Sequence, residues 1–194
     1  MFAPGPATVE ARGADVLAQT LGLRGWQEDE AWVPLRFDLS APVQPTGSLI
    51  ETIDEDRAGE WVDVHWSAFR GTPLEEGVRQ TFVNRWLAMN SGPFAEASRN
   101  LAAFDENGKA VAVTTVWSAG PGRPGLIEPM GVHQDHRGHG YGVEITRAGA
   151  AALREMGSSS ALVAAEGSNS GALATYLAAG FVPDMPAADM SRGG

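Results

Sequence analysis

RGHGYG occupies residues 137–142. Three glycines alternate there with an arginine, a histidine and a tyrosine. The run stands between LIEPMGV at 126–132, which reads as a strand, and a helical stripe of Ile145, Ala148, Gly149, Ala152, Leu153 and Met156 that Gly157 closes. A glycine turn between a strand and a helix leaves several backbone N–H groups unpaired at the helix start. They form a small anion site, reinforced by the helix dipole. Glycines also let a pyrophosphate approach without Cβ clashes. The dinucleotide fingerprint G-x-G-x-x-G fails here, because the glycines fall at 138, 140 and 142 and Val143 takes the next slot. No acidic residue lies within 161–163 to meet a ribose, although Glu155 and Glu166 are nearby. A P-loop fails for want of G-K-[ST]. A plain surface loop and a diphosphate cradle of another kind remain.

Working outward, the 126–132 strand carries Pro129 and Gly131, which are wrong for a regular central strand and predict a bulge or a splayed edge. Before it, NLAAF at 100–104, the turn DENG and KAVAVTTVW at 109–117 read as a β-hairpin turning at Gly108. Two helices precede the hairpin. One covers about 55–69, with Ala58, Trp61, Val62, His65 and Phe69 on one face and Gly71 at its end. The next starts at Thr72-Pro73-Leu74-Glu75, read as a Thr cap, a first-turn proline and a capping-box Glu. Its stripe is Leu74, Val78, Phe82, Trp86 and Met89. After the glycine run and its helix come a strand at 159–165, a helix at 169–181 closed by Gly180, and a tail with room for one last strand. The expected class is mixed α/β (α+β), with helices around a mainly antiparallel sheet that has a parallel portion.

The 194-residue chain has a formal net charge of −10 and no cysteine. Disulfides, zinc-thiolate sites and cysteine nucleophiles are excluded. The acidic balance argues against a nucleic-acid partner and suits solubility or a cationic amine substrate. Lys109 is the only lysine among 14 basic residues, so a lysine Schiff base elsewhere is excluded. No apolar run has membrane-spanning length, and the N-terminus lacks a secretory pattern; a cytoplasmic location is the expectation. His133, His136 and His139 are spaced three apart but sit at a turn without further ligands, so no metal is expected. His65, alone on an apolar helix face, reads as a core histidine.

At this point the sequence resembles a family. R-G-H-G-Y-G fits the Q/R-x-x-G-x-G/A signature of the GNAT (N-acetyltransferase) superfamily. IEPMGVHQDHRGHGYG, from Ile127, looks like that family's fourth strand running into its coenzyme A pyrophosphate loop. NSGALATYLAAGF at 169–181 looks like its second motif, and the resemblance spans 49–192. It implies the GNAT fold, with a splayed strand pair, and acetyl-CoA as co-substrate. Its further implication is an N-acetyltransferase that passes the acyl group directly to a small-molecule amine or peptide acceptor in a ternary complex. The cofactor-binding set carried over is Met130, Val132, Arg137, Gly138, His139, Gly140, Tyr141, Gly142 and Asn169. Tyr176 takes the place of the proton donor to the coenzyme sulfur, Glu128 that of the base, and the Met130 N–H that of an oxyanion donor. Trp61, Trp66, Phe69, Phe82 and Trp86 either border the acceptor or pack in the core. The rival readings are a coenzyme-binding sensor that has lost catalysis, which need keep neither Tyr176 nor Glu128, and a protein N-acetyltransferase. Oligomeric state is left open, homodimer included.

Residues 1–45 stand apart. A short helix at 14–21 ends at Gly22, WVPLRFDL at 32–39 is extended, and SAPVQPTG at 40–47 reads as a linker. ADVLAQTLGLRGW, from Ala14, can be laid on ALATYLAAGFV, from Ala172, with Ala18 where Tyr176 stands. This likeness implies the remnant of a preceding GNAT-like half, as in tandem members, packing on or lending a strand to a catalytic domain at 49–192.

Overall fold

Side-chain alternation along two central strands decides which helices cover which face. In the computed structural model, which describes residues 5–11 and 13–193, the elements run β1 (Ala7–Val9), α1 (Asp15–Gly22), β2 (Gln27–Glu28), β3 (Trp32–Asp38), β4 (Leu49–Thr52), α2 (Ala58–Arg70) and α3 (Glu76–Asn90). They continue with β5 (Ser98–Phe104), β6 (Ala110–Ser118), β7 (Pro124–Val132), α4 (Tyr141–Glu155), β8 (Ser160–Glu166), α5 (Ser170–Ala179), β9 (Val182–Pro183) and β10 (Met190–Arg192). The main sheet has seven strands in the order β4-β5-β6-β7-β8-β3-β9. All neighbours pair antiparallel except β7 with β8, which are parallel. This is the expected mixed class with a mainly antiparallel sheet.

On β5 and β6, Ala102, Phe104 and Val113 join Trp61, Val62 and Trp86 of α2 and α3 in one cluster. Their neighbours Leu101, Ala103, Ala112 and Val116 join Ile145, Leu153 and Tyr176 of α4 and α5 in another. Helices thus cover both faces of these strands, which is why β6 is an almost continuous buried apolar and β-branched run. Gly149 lets α4 lie close to the sheet: a Cβ there would stand 3.2 Å from Val116 and 3.3 Å from Ile127. Arg147 ties α4 to the end of α5 by donating to the Ala178 carbonyl at 2.9 Å.

The structure corrects two expectations for α3. The helix begins at Glu76, with Glu75 in the cap position and no side-chain capping bond. The Thr72-Pro73 stretch stays outside, and the Trp66 indole takes the Thr72 carbonyl at 2.9 Å. Of the expected stripe only Trp86 is fully buried; Val78 and Met89 are more than a third exposed. The tail holds two short strands where one was expected. β4, β1 and β2 are too short to show a period.

The first 45 residues are woven into the fold; the first four and Arg12 lie outside the described residues. β3 runs in full register along β8, from Trp32↔Glu166 to Asp38↔Ser160, and carries β9 on its other edge. Leu35 is 1% exposed in the α4–α5 cluster. A separate three-stranded sheet places β10 between β1 and β2, over a small cluster of Ala11, Leu21, Trp26 and Met190. The linker at 40–47 is held at both ends. Arg154 donates to the Leu39 carbonyl at 3.2 Å, and Glu144 accepts from the backbone of Gly47 and, at 3.0 Å, of Ser48.

Because Leu35 fills the shared core, Leu35→Ala is expected to cost roughly 2–5 kcal/mol in urea unfolding. Val16→Ala, on the exposed face of α1, should stay within about 0.5 kcal/mol. Equal, small losses at both positions would mean that β3 is not part of the core.

Candidate active site

Parallel pairing between β7 and β8 covers Pro124↔Ser160, Gly125↔Ala161 and Leu126↔Leu162 and then stops. Beyond Leu126, β7 keeps only β6 as a partner, and its register to β6 shifts between Thr114 and Val116. The shift is a bulge on β7. Ile127 and Met130 both reach the α4–α5 cluster although they are three apart. One extra residue between them is needed for that, and Glu128 and Pro129 both fall to the opposite face. Two side chains pin the bulge: Thr114 Oγ1 donates to the Pro129 carbonyl at 2.9 Å, and Trp117 Nε1 to the Glu128 carbonyl at 2.8 Å. This is the irregularity that Pro129 predicts.

The backbone of the parted segment has a defined direction. The His133 N–H donates to the Val111 carbonyl at 2.8 Å. Antiparallel alternation then makes Gly131 bond to Val113 and turns the N–H and C=O of Met130 and Val132 away from β6, into the gap. Gly131 must be glycine for packing, since a Cβ there would lie 2.7 Å from Ala68 of α2.

At the end of the gap lies the glycine run. A 3₁₀ turn over Gln134–His136 leads into it. Gly138 and Gly140 have φ of +79° and +86°, a region that disfavours side chains, and a Cβ on either would meet nothing within 4 Å. Open space, not protein, lies over them. Among the described residues, no acceptor is bonded to the N–H of Gly138, His139, Gly140, Tyr141 or Gly142; those of Val143 and Glu144 return to the Gly140 carbonyl. Glu144 is the one acid in the first turn of α4, and its carboxylate is engaged by Gly47 and Ser48. The start of α4 therefore offers five free donors and a positive dipole end.

Met130, Val132, Arg137, Gly138, Gly140, Tyr141, Gly142 and Asn169 line one cleft of about 500 Å³. His139 is turned aside: its Nδ1 lies 2.9 Å from the Arg137 carbonyl, so the ring folds back on the loop. Arg137 donates to the Ala68 carbonyl at 2.8 Å and ties the loop to the end of α2. The Asn169 side chain caps α5 through the Ala172 N–H at 3.1 Å. Among the described residues no three His, Cys, Asp or Glu side chains are grouped to hold a metal ion.

Tyr176 and Glu128 lie further along the gap, outside the cleft lining. Tyr176 is 5% exposed, packs beside Phe181 at 6.3 Å, and its hydroxyl has no hydrogen-bond partner among the described residues. Burial pushes the phenol pKa up to about 12, and the Glu128 charge adds to the rise. The two side chains come from opposite faces of the sheet beside the parting of β7 from β8, near enough for the Glu128 charge to act on the phenol.

Of the aromatic residues offered as an acceptor wall, Trp61 and Trp86 are buried, with ring centres 6.2 Å apart. Trp66 packs edge-on to Phe82 at 5.2 Å. Phe69 alone, 55% exposed, joins Ala68 in lining the cleft. His65 stacks between Trp61 and Phe69, and burial lowers its pKa. The sequence reading missed Ala68 and Thr175 as lining residues; neither carries a local signal, since both are placed by helix packing.

The chain resembles known proteins over this same geometry. It is 28% identical over 189 residues to a mycothiol acetyltransferase of Catenulispora acidiphila, covering 91% of this chain and 58% of that protein. The chain thus spans less than two thirds of that relative's length. Among solved structures, a GCN5-related N-acetyltransferase from Sphaerobacter thermophilus superposes with a TM-score of 0.70 at 20% identity, over 96% of this chain and 58% of that one. A tandem GNAT protein from the clavulanic acid biosynthesis pathway gives 0.66 at 19% identity, over 98% and 61%. At that identity the two structures show the fold. The model of the acetyltransferase (GNAT) family matches residues 59–181, which take in α2, the parted strands, the glycine run and α5, and the chain belongs to that family.

Proposed function

We propose that the protein transfers an acetyl group from acetyl-CoA to an amine, directly and within a ternary complex. The observation that carries this reading is the set of five unpartnered N–H groups from Gly138 to Gly142, at the positive end of α4 and beneath open space. Such a donor set suits a pyrophosphate. Next to it, the free N–H and C=O of Met130 and Val132 offer the edge along which an amide-bearing arm adds as a further strand. When bound, the coenzyme supplies the activated thioester.

The residues then divide the work. Glu128 takes the proton from the acceptor ammonium, directly or through a water, so that the amine can attack. The Met130 N–H donates to the acyl oxygen as negative charge develops on it. Tyr176 donates a hydrogen bond to the sulfur as the carbon–sulfur bond breaks. A phenol raised to about 12 is a weaker acid than an alkyl thiol, near 8.5 by analogy with cysteine. Tyr176 therefore stabilises the leaving thiolate by sharing its proton and stays protonated across the working range. A module that only bound the coenzyme would need neither side chain at the gap.

The acceptor class of the mycothiol acetyltransferase relative is not carried over, because the chain spans 58% of it. We also propose that 1–45 shares descent with the closing part of a GNAT unit; β3 lying directly against β8 supports this.

Thiol release from acetyl-CoA across a panel of amines should be detectable. Tyr176→Phe is expected to lower kcat by roughly 10²-fold while acetyl-CoA affinity by calorimetry hardly moves. Absence of any coenzyme binding would sink the proposal. Gly140→Ala forces a side chain into φ +86°, with a cost of about 1–2 kcal/mol, and should weaken coenzyme binding along with stability. For pH, a phenol held up at about 12 keeps its proton far above neutrality. The rate should rise with pH as the acceptor amine loses its proton, without a descending limb below about pH 10. A descending limb that Tyr176→Phe abolishes would contradict the role given to the phenol.

A further inference from the structure

Strand register places an arginine from the first 45 residues on the same sheet face as Glu128. Leu126 pairs with Leu162, Leu162 with Arg36, and Arg36 with Val182. Paired residues share a face. On β6, Trp117 stands opposite Leu126. One row thus crosses five strands, from Trp117 through Leu126, Leu162 and Arg36 to Val182. Val33, Leu35 and Phe37 alternate with Arg36 and pack into the α4–α5 cluster, so the row belongs to the other face. That is also the face of Glu128, two residues after Leu126 on β7.

Among the described residues no helix packs over this end of the face. The cluster under α2 and α3 takes Ala102, Phe104 and Val113 but no residue of the row. Leu126 is 37% and Val182 67% exposed. Arg36 is exposed and, among the described residues, has no hydrogen bond or ion pair. Its charge reaches Asp38, yet the two oxygens of Asp38 are held by the N–H and hydroxyl of Ser40, at 3.0 and 2.9 Å. The guanidinium lies between Leu162 and Val182 across the sheet and two residues from Asp38 along β3, whose oxygens Ser40 engages. Its planar fork suits carboxylate and phosphate oxygens. Two strand spacings, roughly 10 Å, separate Arg36 from the strand that carries Glu128. Glu128 stands two residues beyond Leu126, past the point where β7 parts from β8, so the two side chains share a face across the opening.

We infer that the acceptor is a compact amine bearing an anionic oxygen group, held by Arg36 while Glu128 receives the ammonium proton. This rests on the acyl-transfer reading and adds to it a specificity residue from β3. The remaining apolar residues of the row, Trp117 and Leu126 among them, would contact the carbon skeleton of the acceptor.

The test uses the full chain with acetyl-CoA and matched acceptor pairs: amino acids against their amides, and phosphoethanolamine against ethanolamine. The first pair reads carboxylate, the second phosphate. The wild type should favour the anionic member of at least one pair. Arg36→Gln should shrink that preference by tenfold or more, mainly through KM of the anionic acceptor, and Arg36→Lys should restore part of it. Acetyl-CoA binding to Arg36→Gln, by calorimetry, reports that the fold is kept. Arg99→Gln removes a charge on the opposite face, where Arg99 meets Glu155, and should leave the preference intact. If Arg99→Gln erases it equally, net charge is the cause and the inference fails. Transfer to amines without an anion preference, or a preference that survives Arg36→Gln, overturns the inference alone. Absence of acetyl-CoA binding overturns the acyl-transfer reading and this inference with it.

Discussion

The parting of β7 from β8 after Leu126 is the constraint on which everything else hangs. A strand edge opened inside a fold leaves polar backbone groups without partners, and such groups are costly unless water or a ligand meets them. Here the edge is kept short, and the bulge at Glu128 and Pro129 bends β7 away. Thr114 and Trp117 take up the carbonyls that the bulge frees. The N–H and C=O of Met130 and Val132 and the N–H groups of the glycine run stay open toward the gap. Strand alternation from Leu126 places Glu128 on one face, while Tyr176 packs on the other. One local irregularity thus sets the binding edge and the opening.

The glycines near this opening serve two distinct purposes. Gly138 and Gly140 are there for their positive φ and for the space above them. Gly131, Gly142 and Gly149 are there because something packs where a side chain would go: Ala68 at 2.7 Å, Thr175 at 3.0 Å and Val116 at 3.2 Å. The first kind shapes a surface for an anion. The second brings α2, α5 and α4 close enough to wall the cleft and cover the sheet.

Much of this was legible in the chain. α4 and α5 have clear caps and stripes, the β5–β6 hairpin has its turn at Gly108, and Pro129 in an apolar run announces a strand that cannot be regular. The glycine run is local chemistry, readable residue by residue. What could not be read depends on partners remote in sequence. Nothing in WVPLRFD says that it lies between β8 and β9, or that Arg36 shares a face with Glu128; only the register reveals it. The two- to four-residue strands β1, β2, β4 and β9 are too brief for a period to emerge. The start of α3 misled because Thr72-Pro73 has the pattern of a cap, while the Trp66 indole holds that carbonyl elsewhere. Ala68 and Thr175 reach the cleft through helix packing alone.

The place of β3 bears on how the chain assembles. Its partner strand begins at Ser160, more than a hundred residues after β3 ends at Asp38. On a ribosome, the apolar side of Val33, Leu35 and Phe37 emerges well before its partners on β8 and α5. Contacts of such sequence separation form slowly, because the intervening chain must be closed into a loop first. The half of the sheet built from β5, β6 and β7 is local and can form without β3. The seam between β3 and β8 therefore closes late, because β3 is made more than a hundred residues before the strand that pairs with it.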